Sequence, residues 1–359
     1  MEVTSLGADV IFEILSRTPL QTLGRYRLVS RECNCLTYES YFARLHAQRT
    51  RTVSGLFLQT ITSNKYSSEF VSVNPTLGSK LSLDFLPASH LMILACTNQG
   101  RGLLLCVNKT PKFYRIPEYY LCNPSSKQWQ RIPNPKTRYF TQRTAMMVVG
   151  SNPFRFRILR LSDPNWFRKP NRKHANQYSF RCEIFYSEAW SWKQLEEIYL
   201  PYDVILSHQA AVSACGVFHW LTSANDIFAF HAGNETWRML SLPDGINSEK
   251  YLLKLSEYEG KLALVCVERG RDDCFDLWVM EEYYREKEWR KRRTVSTKPV
   301  QREEPYVTPS PEALCNADVA MMSSYNRVYF YKFMDGSSYA VNLENFFDSH
   351  GVFCFQSDV

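Results

Sequence analysis

Glycine is scarce in this chain: 14 of 359 residues, where an average usage of roughly 7% would give about 25. Collagen-like, glycine-rich and low-complexity classes are thereby excluded. Long apolar runs are missing as well. The longest, such as Leu91 to Cys96, suit a strand and fall far short of the roughly 20 residues that span a bilayer. The opening Met1-Glu2-Val3-Thr4-Ser5 places an acid early and lacks a basic stretch followed by an apolar one, so no secretory signal is read there. The eleven cysteines include no Cys-x-x-Cys pair. Cys33 and Cys35, the closest, are spaced for neither a zinc knuckle nor a redox pair. Buried thiols in a reducing compartment are the expectation.

Catalytic patterns are absent too. The seven histidines show no His-x-x-x-His or His-x-His spacing for a metal, and neither a Gly-x-Ser-x-Gly elbow nor a P-loop occurs. Glu196-Glu197, Asp272-Asp273, Glu281-Glu282 and Glu303-Glu304 are adjacent in sequence. Neighbours on a strand point to opposite faces, so adjacency builds no acid/base pair. His219 sits in an apolar strand and reads as a satisfied core imidazole. The expectation is a chain with no catalytic residues, no metal and no cofactor.

What is present is apolar and aromatic material: 45% apolar residues, with 22 Phe, 21 Tyr and 8 Trp. That fills a sizeable core and excludes wholesale disorder. The net charge of +7 is modest for this length and points to no nucleic-acid partner. Length alone suggests one large domain plus a small one, or two medium ones.

The first fifty residues differ in texture from the rest. Val10, Ile11, Ile14 and Leu15 lie on one face of a helix beginning near Asp9. Thr18 reads as an N-cap with Pro19 at the first helical position, ahead of a helix carrying Leu20, Leu23 and Tyr26. Ser30 caps a third helix with Leu36, and Ser40 a fourth with Phe42 and Leu45. Four short helices bury too little surface to stand alone. Their surplus apolar face therefore docks on another protein, or packs as a cap on the rest of the chain.

The stretch from Leu6 to Leu23, Leu6-Gly7-Ala8-Asp9-Val10-Ile11-Phe12-Glu13-Ile14-Leu15-Ser16-Arg17-Thr18-Pro19-Leu20, with Arg25-Tyr26-Arg27-Leu28-Val29-Ser30-Arg31 after it, resembles an F-box. More narrowly, it is similar to plant F-box proteins. Resemblance implies a domain at 4–50 that binds a Skp-family linker, and through it a cullin, within an SCF ubiquitin ligase. Carried over by position, it implies that Leu6, Ile11, Ile14, Leu15, Pro19, Leu20, Leu23, Val29 and Leu36 are linker-binding or structurally central. Three positions depart from the family: Gly7 for the usual Pro, Leu28 for Cys, and Cys33 for Trp. Losing a buried Trp there would remove up to roughly 3 kcal/mol of apolar burial.

From residue 53 to 359 the pattern is short alternating runs bounded by turns, which predicts an all-β body. Four segments repeat an apolar strand, a polar turn and a second strand bearing Trp129, Trp192, Trp237 and Trp289. Their intervals of 63, 45 and 52 residues bracket the roughly 40 to 50 of a four-stranded propeller blade. Glycines open a preceding apolar strand at Gly102, Gly216 and Gly260, and weaker units begin near Gly55 and Val328. The sum is a β-propeller of about six blades, closed by a strand near Val352 to Phe355, with the four tryptophans as blade-core residues. A β-sandwich is the alternative. The runs around Trp129, Gly216 and Trp237 are similar to the kelch-like, F-box-associated domain of plant F-box proteins, which implies a platform that recruits a substrate.

Two charged segments stand out. Residues 163–174 form a long excursion offering Trp166, Phe167, Arg168 and Lys169, residue types that suit an acidic or phosphorylated segment of a protein substrate. Its alternative is a solvated loop. Arg290-Lys291-Arg292-Arg293 reads either as a nuclear-import signal or as a charged blade edge. The expected function is a non-catalytic substrate-recognition adaptor of an SCF-type ubiquitin ligase, in the cytoplasm, the nucleus or both, with no membrane contact. The alternative is a propeller that binds a glycan or other ligand, or acts as an enzyme, with the helical segment only a cap.

Overall fold

The structure is a computed structural model. It describes residues 7–50, 53–62, 65–73, 81–97, 102–108, 117–151, 153–164, 177–271, 273–284, 288–303, 310–315, 319–324, 327–333, 335–343 and 349–357. Four helices come first: α1 (Ala8–Leu15), α2 (Leu20–Val29), α3 (Arg31–Tyr38) and α4 (Ser40–Thr50). Ser30 caps α3 as its sequence suggests, its hydroxyl accepting from the Cys33 amide at 3.2 Å. Thr18 does not cap α2. Its hydroxyl turns back to the Ile14 carbonyl at 2.8 Å and Pro19 occupies the cap position, because the chain must first close the end of α1.

Six sheets follow, one per blade. Blade 1 begins with β1 (Val53–Thr62) and β2 (Lys65–Ser72). Blade 2 is β3 (Leu91–Cys96), β4 (Leu104–Asn108), β5 (Glu118–Asn123) and β6 (Gln128–Ile132). Blade 3 is β7 (Phe140–Ser151), β8 (Phe154–Asp163), β9 (Gln177–Tyr186) and β10 (Ser191–Gln194), with β11 (Ile198–Pro201) also on β9. Blade 4 is β12 (Val212–Ala214), β13 (Val217–Leu221), β14 (Asp226–His231) and β15 (Thr236–Ser241). Blade 5 is β16 (Tyr251–Tyr258), β17 (Lys261–Glu268), β18 (Cys274–Met280) and β19 (Trp289–Ser296). The short α5 (Lys298–Glu303) leads to blade 6: β20 (Ser310–Leu314), β21 (Val319–Ser324), β22 (Arg327–Lys332) and β23 (Ser338–Asn342). Finally β24 (Ser349–Ser357) pairs with β1, Val53 opposite Ser357, and closes the ring.

The inner strands β3, β7, β12, β16, β20 and β24 neighbour one another around the axis. Each four-stranded antiparallel blade returns the chain to its starting face, so these strands share one direction. The fold is thus a six-bladed propeller and not a sandwich. Six apolar clusters fill the six seams between adjacent blades. Strand alternation explains how one strand serves two seams. Leu104 and Cys106 face blade 1, whereas Leu105 and Val107 face blade 3. Strands buried on both faces read as continuous apolar runs, as β13 and β17 do.

Gly102 has its own reason. Its φ of +48° is disfavoured for other residues, and a Cβ there would stand 2.6 Å from Cβ of Ser357 on the closing strand.

Candidate interaction surfaces

The helical head packs around Leu15, Leu20, Leu23 and Phe42, with Cys33 half-buried at its margin. Phe12 meets Phe42 edge-on at 5.4 Å, and His46 stacks on Phe42 while bonding the Thr18 carbonyl at 2.7 Å. Glu13 ties α1 to α4 through Arg49 at 2.8 Å and also holds Arg17 at 2.7 Å. Those two guanidinium bonds draw its carboxyl below the usual range. Outside this core the head keeps large apolar side chains in water: Val10, Ile14 at 50% exposure, Tyr26, Tyr41 and, on α2, Leu28 at 87%.

The head is seated on blade 5. Arg27 lies over the Tyr38 ring at 4.0 Å and bonds Thr37, and Tyr38 packs against the seam between blades 5 and 6. The Tyr38 hydroxyl bonds Glu257 near the end of β16, close to Gly260 in the following turn. Burial raises the Glu257 carboxyl, with Arg27 opposing it, and raises the Tyr38 phenol. The head therefore covers the face at which the inner strands end.

A cavity of about 410 Å³ runs along the axis, lined by all six inner strands. Lys254 and Glu312 form an ion pair within it, and Glu312 also accepts from Ser323 at 2.9 Å. Arg143, at 8% exposure, bonds the Ser207 carbonyl at 2.6 Å, the Gln142 carbonyl at 2.6 Å and the Leu206 carbonyl. Burial lowers its guanidinium to about 10, still charged at neutral pH. Among the described residues no group of three His, Cys, Asp or Glu side chains could hold a metal, and no helix is long and apolar enough to cross a membrane.

Residues 55–350 match a protein family described as the F-box associated beta propeller domain. The chain belongs to the plant F-box associated propeller proteins. It is 41% identical over 168 residues to F-box protein At5g41720 of Arabidopsis thaliana, covering 45% of this chain and 89% of that one. It is 30% identical over 296 residues to F-box protein At5g49610 of Arabidopsis thaliana, covering 77% and 75% respectively. At 23% identity over 287 residues, F-box protein At5g07610 of the same plant covers 76% and 66%.

Within this F-box associated protein the nine head positions implied for linker binding separate. Leu6 and the Val29 side chain lie outside the described residues. Leu15, Leu20 and Leu23 turn inward and hold the head together, the structurally central of the two roles the resemblance implies. Ile11 and Leu36 pack half-buried on that core, while Ile14 and Pro19 face outward. Val10, Leu28 and Tyr41 were absent from the implied set, yet they too are exposed apolar side chains of the head. Val10 was readable, since it lies one turn before Ile14 on α1.

The tryptophans separate as well. Trp192, 4% exposed, sends its indole N–H to the Pro133 carbonyl of blade 2 at 2.7 Å. Trp289 does the same to Ser241 of blade 4 at 3.0 Å. These two bind the preceding blade. Trp129 and Trp237 are 45% and 38% exposed and are not blade-core residues. Trp129 borders blade 1, which has three strands among the described residues and no fourth for it to grip. Trp237 stacks on Phe228 of its own blade at 5.6 Å.

Trp166, Phe167, Arg168 and Lys169 lie outside the described residues. The basic run falls on the outer strand β19, where Arg290 pairs with Glu288 at 3.0 Å, Lys291 with Asp276 at 2.8 Å and Arg292 with Glu281 at 2.5 Å. His219 is a satisfied core imidazole. Its Nδ1–H donates to the Val212 carbonyl at 3.1 Å, so Nε2 accepts from the Tyr283 hydroxyl at 2.7 Å. Buried Cys182 and half-buried Cys354 have thiols raised by desolvation, the latter to about 12, which makes them poor nucleophiles.

Proposed function

We propose that this chain is the substrate-recruiting adaptor of an SCF-type ubiquitin ligase. Its head binds a Skp-family linker, and through that a cullin, while its propeller holds a protein for ubiquitination. The observation that supports this most is the exposed set Val10, Ile14 and Leu28 on a head whose own core is four side chains. Apolar side chains concentrated on one small module mark a protein-binding surface. Its place beside a propeller of the F-box associated family supports the same reading.

The chain acts by proximity and supplies no reacting group. The seat of Tyr38 on Glu257 fixes the bound target relative to the linker, which raises the target's effective concentration near the ubiquitin carrier. Such an adaptor works in the cytoplasm, the nucleus or both. The paired cations of β19 serve as a charged blade edge.

Co-purification of the full chain with a Skp-family linker tests the reading. Ile14→Asp and Leu28→Asp each put a charge into the docked surface and should weaken capture at least tenfold, at about 1.4 kcal/mol per factor of ten. Both sites are exposed in the free chain, so folding is untouched. A wild-type chain that fails to capture the linker overturns the reading.

A further inference from the structure

On the face away from the head, where the inner strands begin, Gln142, Arg143, His208 and Gln209 line that end of the axial cavity, its mouth. Arg143 has five N–H donors, and three donate to backbone carbonyls. No carboxylate among the described residues pairs with it. The other charges along the cavity are accounted for: Lys254 and Glu312 neutralise one another, and Glu257 belongs to the head's seat. Arg143 thus leaves one uncompensated positive charge with two N–H groups to spare. Beside it, Thr144 Oγ1 and Gln142 Nε2 are buried without a hydrogen-bond partner. Native interiors rarely leave such atoms unpaired without a reason.

Next in sequence to these polar lining residues stand exposed aromatic and aliphatic side chains. Tyr139 and Phe140 lead into β7, and Tyr202 and Ile205 precede the stretch whose carbonyls hold Arg143; all four side chains are exposed. Tyr178, which bonds Asp163, has its phenol raised by burial first and by that Asp163 bond, with nearby Arg143 opposing. A single buried guanidinium held by carbonyls one and two residues beyond the exposed Ile205 matches one negative charge set among apolar side chains.

We propose that this mouth binds an acidic, apolar peptide segment of the recruited protein, with one side-chain carboxylate held by Arg143 and its apolar neighbours resting on Tyr202 and Ile205. A carboxylate carries the single charge that balances Arg143 and takes two parallel N–H bonds. A phosphate dianion would bring a second charge, and the described residues lining the cavity offer no second unpaired cation to meet it. The proposal rests on the propeller being the recruiting half, and it adds the chemistry recognised there.

The test pans a displayed random twelve-residue peptide library on the full chain and measures recovered peptides by fluorescence anisotropy. Expected is an enriched Asp or Glu beside an aromatic or branched apolar residue. Changing that acid to its amide in the peptide should weaken binding at least tenfold, with the protein unaltered. Tyr202→Ser combined with Ile205→Ser, both exposed, should weaken it at least fivefold. Arg143→Gln should abolish the preference for acid over amide. Should Arg143→Gln fail to fold, the peptide swap and the doubly substituted variant decide. No recovered peptide, no acidic position, equal binding of acid and amide, or tighter binding of a phosphoserine replacement would each overturn the proposal. Linker capture by the head is scored separately, so loss of this site leaves the adaptor reading standing.

Discussion

The head and the propeller solve the same burial problem to different extents. In the propeller, each blade shares an apolar seam with the blade on either side, and the ring leaves no seam open. In the head, four buried apolar side chains among the described residues serve four helices, and Leu28 is left almost entirely in water. Small helical units bury a low fraction of their surface and gain correspondingly little. A propeller that completes its own core can vary its faces freely. A head that does not gains further stability from whatever covers it, which on the adaptor reading proposed above ties its surface to a fixed partner.

The sharpest way to break this contrast is inside blade 3. Arg160 and Glu183 form a buried ion pair at 2.5 Å, and Glu183 also accepts from the Thr137 hydroxyl at 2.6 Å. Arg160→Met strands the carboxylate and should cost about 3–5 kcal/mol, read as a lower denaturant midpoint of the propeller. A change within about 0.5 kcal/mol would show that the pair does not hold the blade. Next in size is Leu23→Ala, at about 3 kcal/mol. Because the head's core is separate, amide exchange should quicken across α1 to α4 while β17 stays protected. Equal quickening in both would mean that head and propeller unfold as one unit.

The smallest expected effect is a pH dependence lodged in the propeller. Burial lowers His219 from 6.5 to about 3. Between those values the unfolded chain binds a proton that the folded chain refuses. Its contribution to stability is therefore complete above pH 6.5 and falls as the solution is acidified. By pH 5 the loss should be about 2 kcal/mol. His219→Gln, whose amide can reach both hydrogen-bond partners, should flatten the curve of stability between pH 6.5 and 5. Parallel curves for the two proteins would rule out this imidazole as the titrating group.

Much of the architecture was legible because it repeats. Strand, turn and Trp recurred at blade-like intervals, and the closing strand fell where the last apolar run stood. What the Trp pattern could not convey was the neighbour. Trp192 finds Pro133, whereas Trp129 faces a blade with no fourth strand described, and only pairing between distant segments decides which is buried. Arg160 and Glu183 escaped notice for a related reason. They are 23 residues apart on adjacent strands, while a search along the chain weighs adjacent carboxylates. Arg143 was invisible because its partners are backbone carbonyls, which every sequence has. In the head, one helical face held Val10, Ile11, Ile14 and Leu15, but periodicity does not say which edge of that face turns inward.

The pairing of β24 with β1 has a consequence for how the protein is made. A ribosome releases Val53 long before it reaches Ser349, so the emerging propeller remains an open row of blades, its first and last seams unsealed. The four helices of the head are already made throughout that interval. On the adaptor reading proposed above, linker capture can therefore begin during translation, whereas a target that needs the closed axial mouth must wait for the final strand.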